Sequence, residues 1–283
     1  MMLFRVFKRS IHGMKKNNII TVVRVFIALI LWLAIYKCYG YFIDPKLEGL
    51  LPEVVRMIIR SMVVPYTLGL GAFYLVVKGM ETIREREAEL SVTPVLFGKG
   101  FLVQMGISMP LVIIVNILCM ILGIEGASFS YEEIFGKHFI YYLILLLIFN
   151  PVFEELLFRG FVLGRLRVLG DTAAIIISSV FFALPHFISQ GLPQVFATFA
   201  IALVWGYVRI KTGKLWPCMI LHGLFNLYGS YFVIIMSRTP VTSILVVFLN
   251  MFVLPAVAAV ILIFTLSKPS SDKTVLSKAV SDR

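Results

Sequence analysis

Charged residues are scarce in this sequence, at 14% of the chain, whereas soluble globular domains contain about 25%. Hydrophobic residues make up 60% and the mean hydropathy is +0.96, which is typical of a polytopic membrane protein. The net charge of +11 does not indicate a nucleic-acid partner, because Lys and Arg cluster in short segments between apolar runs. There they act as topology signals and contact anionic lipids.

Several signatures of other protein classes are absent. The three cysteines, Cys38, Cys119 and Cys218, have no CxxC spacing, so neither a disulfide framework nor a thiolate metal site is indicated. Gly-x-Ser-x-Gly and His-Glu-x-x-His do not occur, which removes the commonest serine-hydrolase and zinc-protease interpretations. No small-residue cleavage site follows the first apolar run, so we interpret that run as an uncleaved membrane helix.

Long apolar runs, by contrast, recur along the whole chain. A helix needs about 20 apolar residues to cross the hydrocarbon core, and we count about eight such runs. The sequence therefore predicts an all-α fold, a polytopic membrane helix bundle of about eight transmembrane helices. The approximate limits of the runs are 19–42, 57–77, 101–123, 138–158, 172–190, 194–210, 215–236 and 241–266.

The predicted organisation follows from these runs and from the distribution of basic residues. Lys and Arg are more frequent in the segments that lie inside if the N-terminus is cytoplasmic, which predicts that both termini are cytoplasmic. We expect five parts: a basic cytoplasmic N-terminus (1–18), N-terminal transmembrane helices (19–137), a catalytic transmembrane core (138–236), a last transmembrane helix (237–266) and a polar cytoplasmic tail (267–283).

One apolar run contains two adjacent carboxylates, Glu154 and Glu155, in NPVFEELLFRG. A charge at the bilayer centre costs roughly 2.5–3.5 kcal/mol on insertion scales, so each acid must be paired, be protonated or face a wet cavity. Arg159 lies four residues after Glu155, a spacing that allows an ion pair on a helix. Adjacent helical residues point about 100° apart. We therefore expect Arg159 to hold Glu155 and Glu154 to face a cavity; the alternative is a structural ion-pair knot.

Two histidines and an asparagine in later apolar runs complete a candidate site. His186 lies in SSVFFALPHF, and His222 shares a helix face with Asn226, one turn away. With Glu154 these residues supply a base, a proton carrier and oxyanion donors, which is what amide hydrolysis requires. A zinc site formed by Glu154, His186 and His222 is the alternative, since two His and one Glu can activate a zinc-bound water.

These residues resemble the CAAX-protease and bacteriocin-processing membrane endopeptidases, also called the Abi, CPBP or glutamic intramembrane protease family. The family pattern consists of three motifs, EExxxR, FxxxH and HxxxN, and this sequence contains all three. The resemblance covers about residues 145–230. The matching residues are Glu154, Glu155, Arg159, Phe182, His186, His222 and Asn226.

The resemblance implies a role for each residue. Glu154 would be the general base, His186 would help it to activate water, and His222 and Asn226 would hold the oxyanion. Glu155, Arg159 and Phe182 would be supporting residues. No cofactor or metal is implied.

The expected partners are a peptide or protein substrate, membrane-associated or exported, and the lipid bilayer. A bacterial plasma membrane is the expected location, and no oligomeric state is predicted. Two other functions remain open: a non-catalytic membrane partner or immunity protein that binds a peptide or a sensor, and a proton-coupled transporter that uses buried Glu and His.

The predicted end of the fourth span conflicts with the candidate site. If the fourth span ends near residue 158, Glu154 lies close to the cytoplasmic end of that span, whereas His186 lies about 20 Å along the next one. The two could not meet. We therefore expect the fourth helix to continue past Arg159, with kinks at Pro185 and Pro151.

Overall fold

The computed structural model describes residues 16–83, 88–124 and 130–267. The basic N-terminus up to residue 15 and the tail from residue 268 lie outside the described residues. Seven of the described helices are long and apolar enough to cross a membrane. They are α1 (Asn17–Leu47), α2 (Glu53–Val77), α3 (Pro94–Ile121), α4 (Phe139–Leu169), α5 (Asp171–Thr212), α6 (Trp216–Met236) and α7 (Pro240–Thr265). The protein is an integral membrane helix bundle.

The fifth helix folds back on itself. Its 42 residues would span about 63 Å if straight, twice the hydrocarbon core of about 30 Å. Gly191, with φ 79° and ψ −179°, interrupts it in a conformation that glycine adopts readily. The rings of Phe182 and Trp205 lie 5.8 Å apart, and a Cβ on Gly206 would lie 3.1 Å from Ile175. The two arms, 171–190 and 192–212, are therefore antiparallel, and the seven described helices account for about eight passages.

The predicted end of the fourth span, at residue 158, is wrong. Helix α4 continues to Leu169, as the conflict between Glu154 and His186 required. Glu154 lies 15 residues before the end of α4, and His186 lies 15 residues after the start of α5 at Asp171. Both residues are therefore about 22 Å from the connection at Gly170, at a similar depth in the bundle.

At Pro185, where a kink was expected, the helical conformation continues, and the break in α5 lies at Gly191. A kink was also expected at Pro151. There the helix is irregular, because a π-helical turn, Leu145–Phe149, precedes the proline. Such a turn is a recognised accommodation of proline inside a helix.

Small residues bring helices close together, and large apolar residues cover the outside. A Cβ on Gly106 of α3 would clash with the Leu254 carbonyl and the Ala258 side chain of α7, so these backbones approach as closely as helices in membranes often do. Leu75 and Phe264 are about 70% exposed on the outer faces of α2 and α7. Lipid chains are the solvent that such faces require.

Candidate active site

A cavity of about 260 Å³ opens into the bundle between α1, α2, α4, α5 and α6. Its lining includes four of the residues that the sequence analysis assigned to catalysis: Glu154, His186, His222 and Asn226. Phe182 lines it as well. The structure therefore brings together side chains that are up to 72 positions apart in the sequence.

Glu155 and Arg159 lie directly behind the cavity, in the dry core. Their exposed fractions are 0% and 2%, and Arg159 Nη1 donates to Glu155 Oε1 at 3.1 Å. Arg159 also donates to the Ala202 carbonyl, and its guanidinium lies 4.3 Å from the centre of the Phe182 ring. The ion pair, the carbonyl and the cation–π contact together compensate the buried charge of Arg159.

His222 connects the buried pair to the cavity. Its Nδ1 donates to Glu155 Oε1 at 3.0 Å, because this carboxylate oxygen also accepts from Arg159 Nη1 and has no proton to give. The ring stacks on Trp205, with centroids 4.4 Å apart and planes 20° from parallel. These contacts fix the ring so that Nε2 is 3.9 Å from Glu154 Oε2. In a neutral His222, Nε2 is then the accepting nitrogen; it donates only when the ring is an imidazolium.

Glu154 differs from Glu155 in its surroundings. Its side chain is 17% exposed and lines the cavity, whereas the Glu155 side chain is 0% exposed. The 3.9 Å between Glu154 and His222 is too long for a direct hydrogen bond. The Glu154 carboxylate is thus free to bind a molecule that enters the cavity.

His186 presents an accepting nitrogen. Its Nδ1 donates to the backbone carbonyl of Phe182 at 2.9 Å, since a carbonyl oxygen has no proton to give. In the neutral ring Nε2 must therefore carry the lone pair. A nitrogen of this kind accepts a hydrogen bond from water.

Asn226 is positioned by an irregularity in α4. In the π-helical turn the Asn150 N–H bonds to the Leu145 carbonyl, five residues earlier. The next donor in this register is Pro151, which has no N–H, so the Leu146 carbonyl lacks a partner from α4. Asn226 Nδ2 donates to that carbonyl at 2.8 Å. This bond uses one of the two amide protons of Asn226 and leaves the second.

Gly223 allows α6 to approach α4 closely enough for these contacts. A Cβ at this position would lie 3.2 Å from the Leu147 carbonyl oxygen, which is tighter than ordinary van der Waals contact. Gly223 follows His222 directly and precedes Asn226 by three residues. The glycine therefore sets the distance from which both side chains reach α4.

Two residues that support the site were missed by the sequence analysis. Trp205 lies under His222, and its Nε1 donates to Gln104 Oε1 at 2.7 Å. Gln104 Nε2 in turn donates to the Leu221 carbonyl at 3.0 Å. Gln104 could have been found from the sequence, because it is a polar residue inside an apolar run. Trp205 could not, because tryptophan is common in membrane helices.

The metal alternative has no preformed ligand set in the described part of the chain. No group of three or more His, Cys, Asp or Glu side chains there is arranged to hold a metal ion. The Nδ1 atoms of His186 and His222 are engaged with Phe182 and Glu155, so only the Nε2 atoms would be available as ligands.

Comparison with known proteins gives one match. Residues 136–228, about a third of the chain, match the family described as Type II CAAX prenyl endopeptidase Rce1-like. No curated protein and no solved structure matches the chain. The matched segment contains all of α4 and α5 and the part of α6 that carries His222 and Asn226. The segment that carries the candidate site is therefore similar to the CAAX-protease family of membrane peptide hydrolases.

Proposed function

We propose that the protein is an intramembrane endopeptidase that cleaves a peptide bond with a water molecule activated by Glu154. The observation that carries this proposal is the unequal environment of the two adjacent glutamates. Glu155 is bonded to Arg159 and His222 in the dry core, whereas Glu154 faces the cavity. A base must be able to reach its substrate, and Glu154 meets that condition.

The first step is attack by water. In the proposed complex, the water donates one proton to Glu154 and its other hydrogen bond to His186 Nε2. This orients the oxygen lone pair toward the carbonyl carbon of the substrate. The new C–O bond forms as Glu154 takes the proton, and the carbonyl oxygen becomes an oxyanion.

The oxyanion needs hydrogen-bond donors, and His222 and Asn226 are the two proposed ones. Because Nδ1 already donates to Glu155, His222 can donate to the oxyanion only through a protonated Nε2. We therefore propose that His222 donates to the oxyanion in the form of the ring that carries a proton on both nitrogens. The second amide proton of Asn226 supplies the other donor. Preorganised donors of this kind stabilise the tetrahedral intermediate.

The intermediate then collapses. The C–N bond of the peptide breaks, and the proton held by Glu154 passes to the leaving amine. Glu154 returns to its ionised form, and a new carboxyl terminus and a new amino terminus are the products. No nucleophilic side chain and no covalent intermediate are required.

The orientation in the membrane bears on the substrate. Ser189, Gln190 and Gln194 line the cavity beside the Gly191 turn, at the end of the bundle away from the start of α1. With a cytoplasmic N-terminus, as the basic residues predict, the cavity opens toward the outer side of a bacterial plasma membrane. A membrane-associated or exported peptide, such as a bacteriocin precursor, suits this orientation.

The proposal is tested with purified protein in nanodiscs and a peptide library, read by mass spectrometry for new termini. We expect discrete new termini with the wild-type protein and none with Glu154→Gln. Long incubation with phenanthroline should leave the cleavage unchanged. Loss of cleavage with chelator and recovery with zinc would make Glu154, His186 and His222 metal ligands instead.

A further inference from the structure

Tyr66 of α2 lines the active-site cavity, and its hydroxyl group has no hydrogen-bond partner among the described residues. It is also not one of the unpaired polar atoms that are fully buried in that part of the chain, so a molecule in the cavity can reach it. Tyrosine hydroxyl groups inside proteins usually have a partner. Tyr141 and Tyr228, for example, donate to Ser61 and Asn250. The Tyr66 hydroxyl is therefore available to a ligand.

The ring of Tyr66 is held against α4 beside Glu154. Its centroid lies 5.4 Å from that of Phe149 and 5.1 Å from that of Phe153, and Phe153 directly precedes Glu154. The ring of Trp32 from α1 lies 6.3 Å away. Contacts with two helices thus fix the ring, and the hydroxyl is close enough to the Glu154 carboxylate for the two groups to interact electrostatically.

Tyr66 and the proposed oxyanion donors lie on different sides of Glu154. Pro151 of α4 lies beside Gly223 of α6, and Phe153 lies beside Tyr66 of α2. Side chains two residues apart point about 160° apart around a helix, and Glu154 points between these two directions, about 60° from Pro151 and about 100° from Phe153. A peptide bound over Glu154 therefore has α6 on one side and Tyr66 on the other.

The direction of the substrate carbonyl groups follows from this arrangement. The proposed mechanism points the carbonyl of the cleaved bond toward His222 and Asn226 of α6. Successive carbonyl groups of an extended peptide point to opposite sides, so the neighbouring ones point toward α2. A carbonyl oxygen only accepts hydrogen bonds, and a tyrosine hydroxyl can donate one.

We propose that the Tyr66 hydroxyl binds the substrate by donating a hydrogen bond to the main-chain carbonyl next to the bond that is cleaved. The inference rests on the proposed peptidase function and adds a binding contact from α2. Such a contact suits an extended peptide at membrane depth, where a carbonyl that leaves a helix has no water to replace its lost partner. Because the contact is made to the main chain, it does not depend on the side chains of the substrate.

The test measures binding separately from cleavage. Fluorescently labelled library peptides are resynthesised with one main-chain amide at a time replaced by a trans-alkene, which keeps the extended shape and removes the carbonyl. Their binding to the Glu154→Gln protein in phosphatidylcholine nanodiscs is measured by fluorescence anisotropy. We expect the replacement next to the cleaved bond to weaken binding about 3- to 10-fold, which is the usual worth of a hydrogen bond between neutral groups.

Tyr66→Phe, added to the Glu154→Gln protein, decides whether this hydroxyl is responsible. The substitution keeps the ring and should weaken binding of the unmodified peptide about 3- to 10-fold. The alkene replacement should then have no further effect, because both changes remove the same bond. In cleavage assays Tyr66→Phe alone should raise KM with little change in kcat.

Two other tyrosines provide matched controls. Tyr74 lies on the same helix, is 50% exposed and does not line the cavity, whereas Tyr36 of α1 is the second tyrosine in the lining. Tyr74→Phe and Tyr36→Phe should both keep the affinity for the unmodified peptide and the effect of the alkene.

The contact is refuted if no peptide binds, if no alkene replacement weakens binding, or if the effect of the alkene persists in Tyr66→Phe. It is also refuted if either control behaves like Tyr66→Phe, or if the sensitive carbonyl is not next to the cleaved bond. An alkene effect that depends on Tyr66, without any cleavage by the wild-type protein, would retain Tyr66 as a peptide-binding residue and overturn the peptidase proposal.

Discussion

Two ionic clusters of this protein contain similar residues in opposite surroundings. The inner cluster is formed by Glu155, Arg159 and His222, which are 0%, 2% and 4% exposed. The outer cluster joins the start of α2 to the segment before α4 and contains Glu53, Lys137 and His138. The side chains of Glu53 and Lys137 are 58% and 76% exposed. Both clusters consist of a carboxylate, a cation and a histidine.

The comparison shows that charge type alone does not identify a site in a membrane protein. In the inner cluster Glu155 fixes the His222 ring, and Nε2 of that ring then lies on the cavity side, 3.9 Å from Glu154. The outer pairs are accessible to water, which weakens them to about 0–1 kcal/mol. Burial of the partners, rather than their presence, distinguishes the inner cluster, which holds the His222 ring at the cavity.

Arg159→Ala is expected to have the largest effect on stability. It leaves Glu155 without its cation in the dry core, which costs about 3–5 kcal/mol. Thermal unfolding in detergent, followed by tryptophan fluorescence, should show a large decrease in Tm and a lower yield from membranes. A protein of normal stability without activity would indicate instead that Arg159 takes part in the chemistry.

Asn226→Ala should mainly affect turnover. Loss of one oxyanion donor costs about 10²–10³ in kcat with little change in KM. The matched control is Asn116→Ala, because Asn116 also donates to a backbone carbonyl, that of Val112, but on an exposed face of α3. We expect the control to keep wild-type kcat; equal losses in both variants would remove Asn226 from the proposed site.

Gly223→Ala should have an intermediate effect on activity. The added methyl group meets the Leu147 carbonyl at 3.2 Å and must move α6 by a few tenths of an ångström, which displaces His222 and Asn226. Misplacement of a catalytic group by about 1 Å can cost 10²-fold, so we expect about a tenfold decrease in kcat. Gly229→Ala, where a Cβ meets nothing within 4 Å, is the control and should leave kcat unchanged. An unaffected Gly223→Ala protein would show that the close approach of α6 is not needed.

Lys137→Ala should have the smallest effect. The Lys137–Glu53 pair is short, at 2.7 Å, but exposed, so its loss should change the unfolding free energy by less than about 1 kcal/mol. Cleavage should be unchanged. A loss comparable to that of Arg159→Ala would contradict the distinction between the inner and outer clusters.

The sequence predicted the helical bundle and the motif residues because both leave local signals. Apolar runs give the spans, and a carboxylate pair inside such a run is conspicuous. The end of α4 could not be predicted, because Arg159, Arg165 and Arg167 lower the hydropathy beyond residue 158. In the structure these arginines are buried, with exposed fractions of 2%, 8% and 4%. A hydropathy scale scores each residue alone and takes no account of a partner that compensates a buried charge.

The geometry of the site could not be predicted from the sequence either. The bond from Asn226 to Leu146 depends on a π-helical turn and on the missing N–H of Pro151. The stacking of His222 on Trp205 depends on the reversal of α5 at Gly191. Contacts of this kind join helices that are distant along the chain, so no pattern of spacing indicates them. The catalytic assignment of the four cavity residues stays a prediction until variants are assayed.

The central claim is that Glu154 and Glu155 have different functions, and paired measurements on Glu154→Gln and Glu155→Gln test it most directly. Each variant is assayed in nanodiscs for thermal stability and for single-turnover cleavage of one library peptide. We predict that Glu154→Gln keeps the wild-type Tm and loses about 10²–10⁴ in rate. Glu155→Gln should lower Tm strongly, because Arg159 and His222 lose their shared acceptor. A Glu154→Gln protein that cleaves at the wild-type rate would contradict the account.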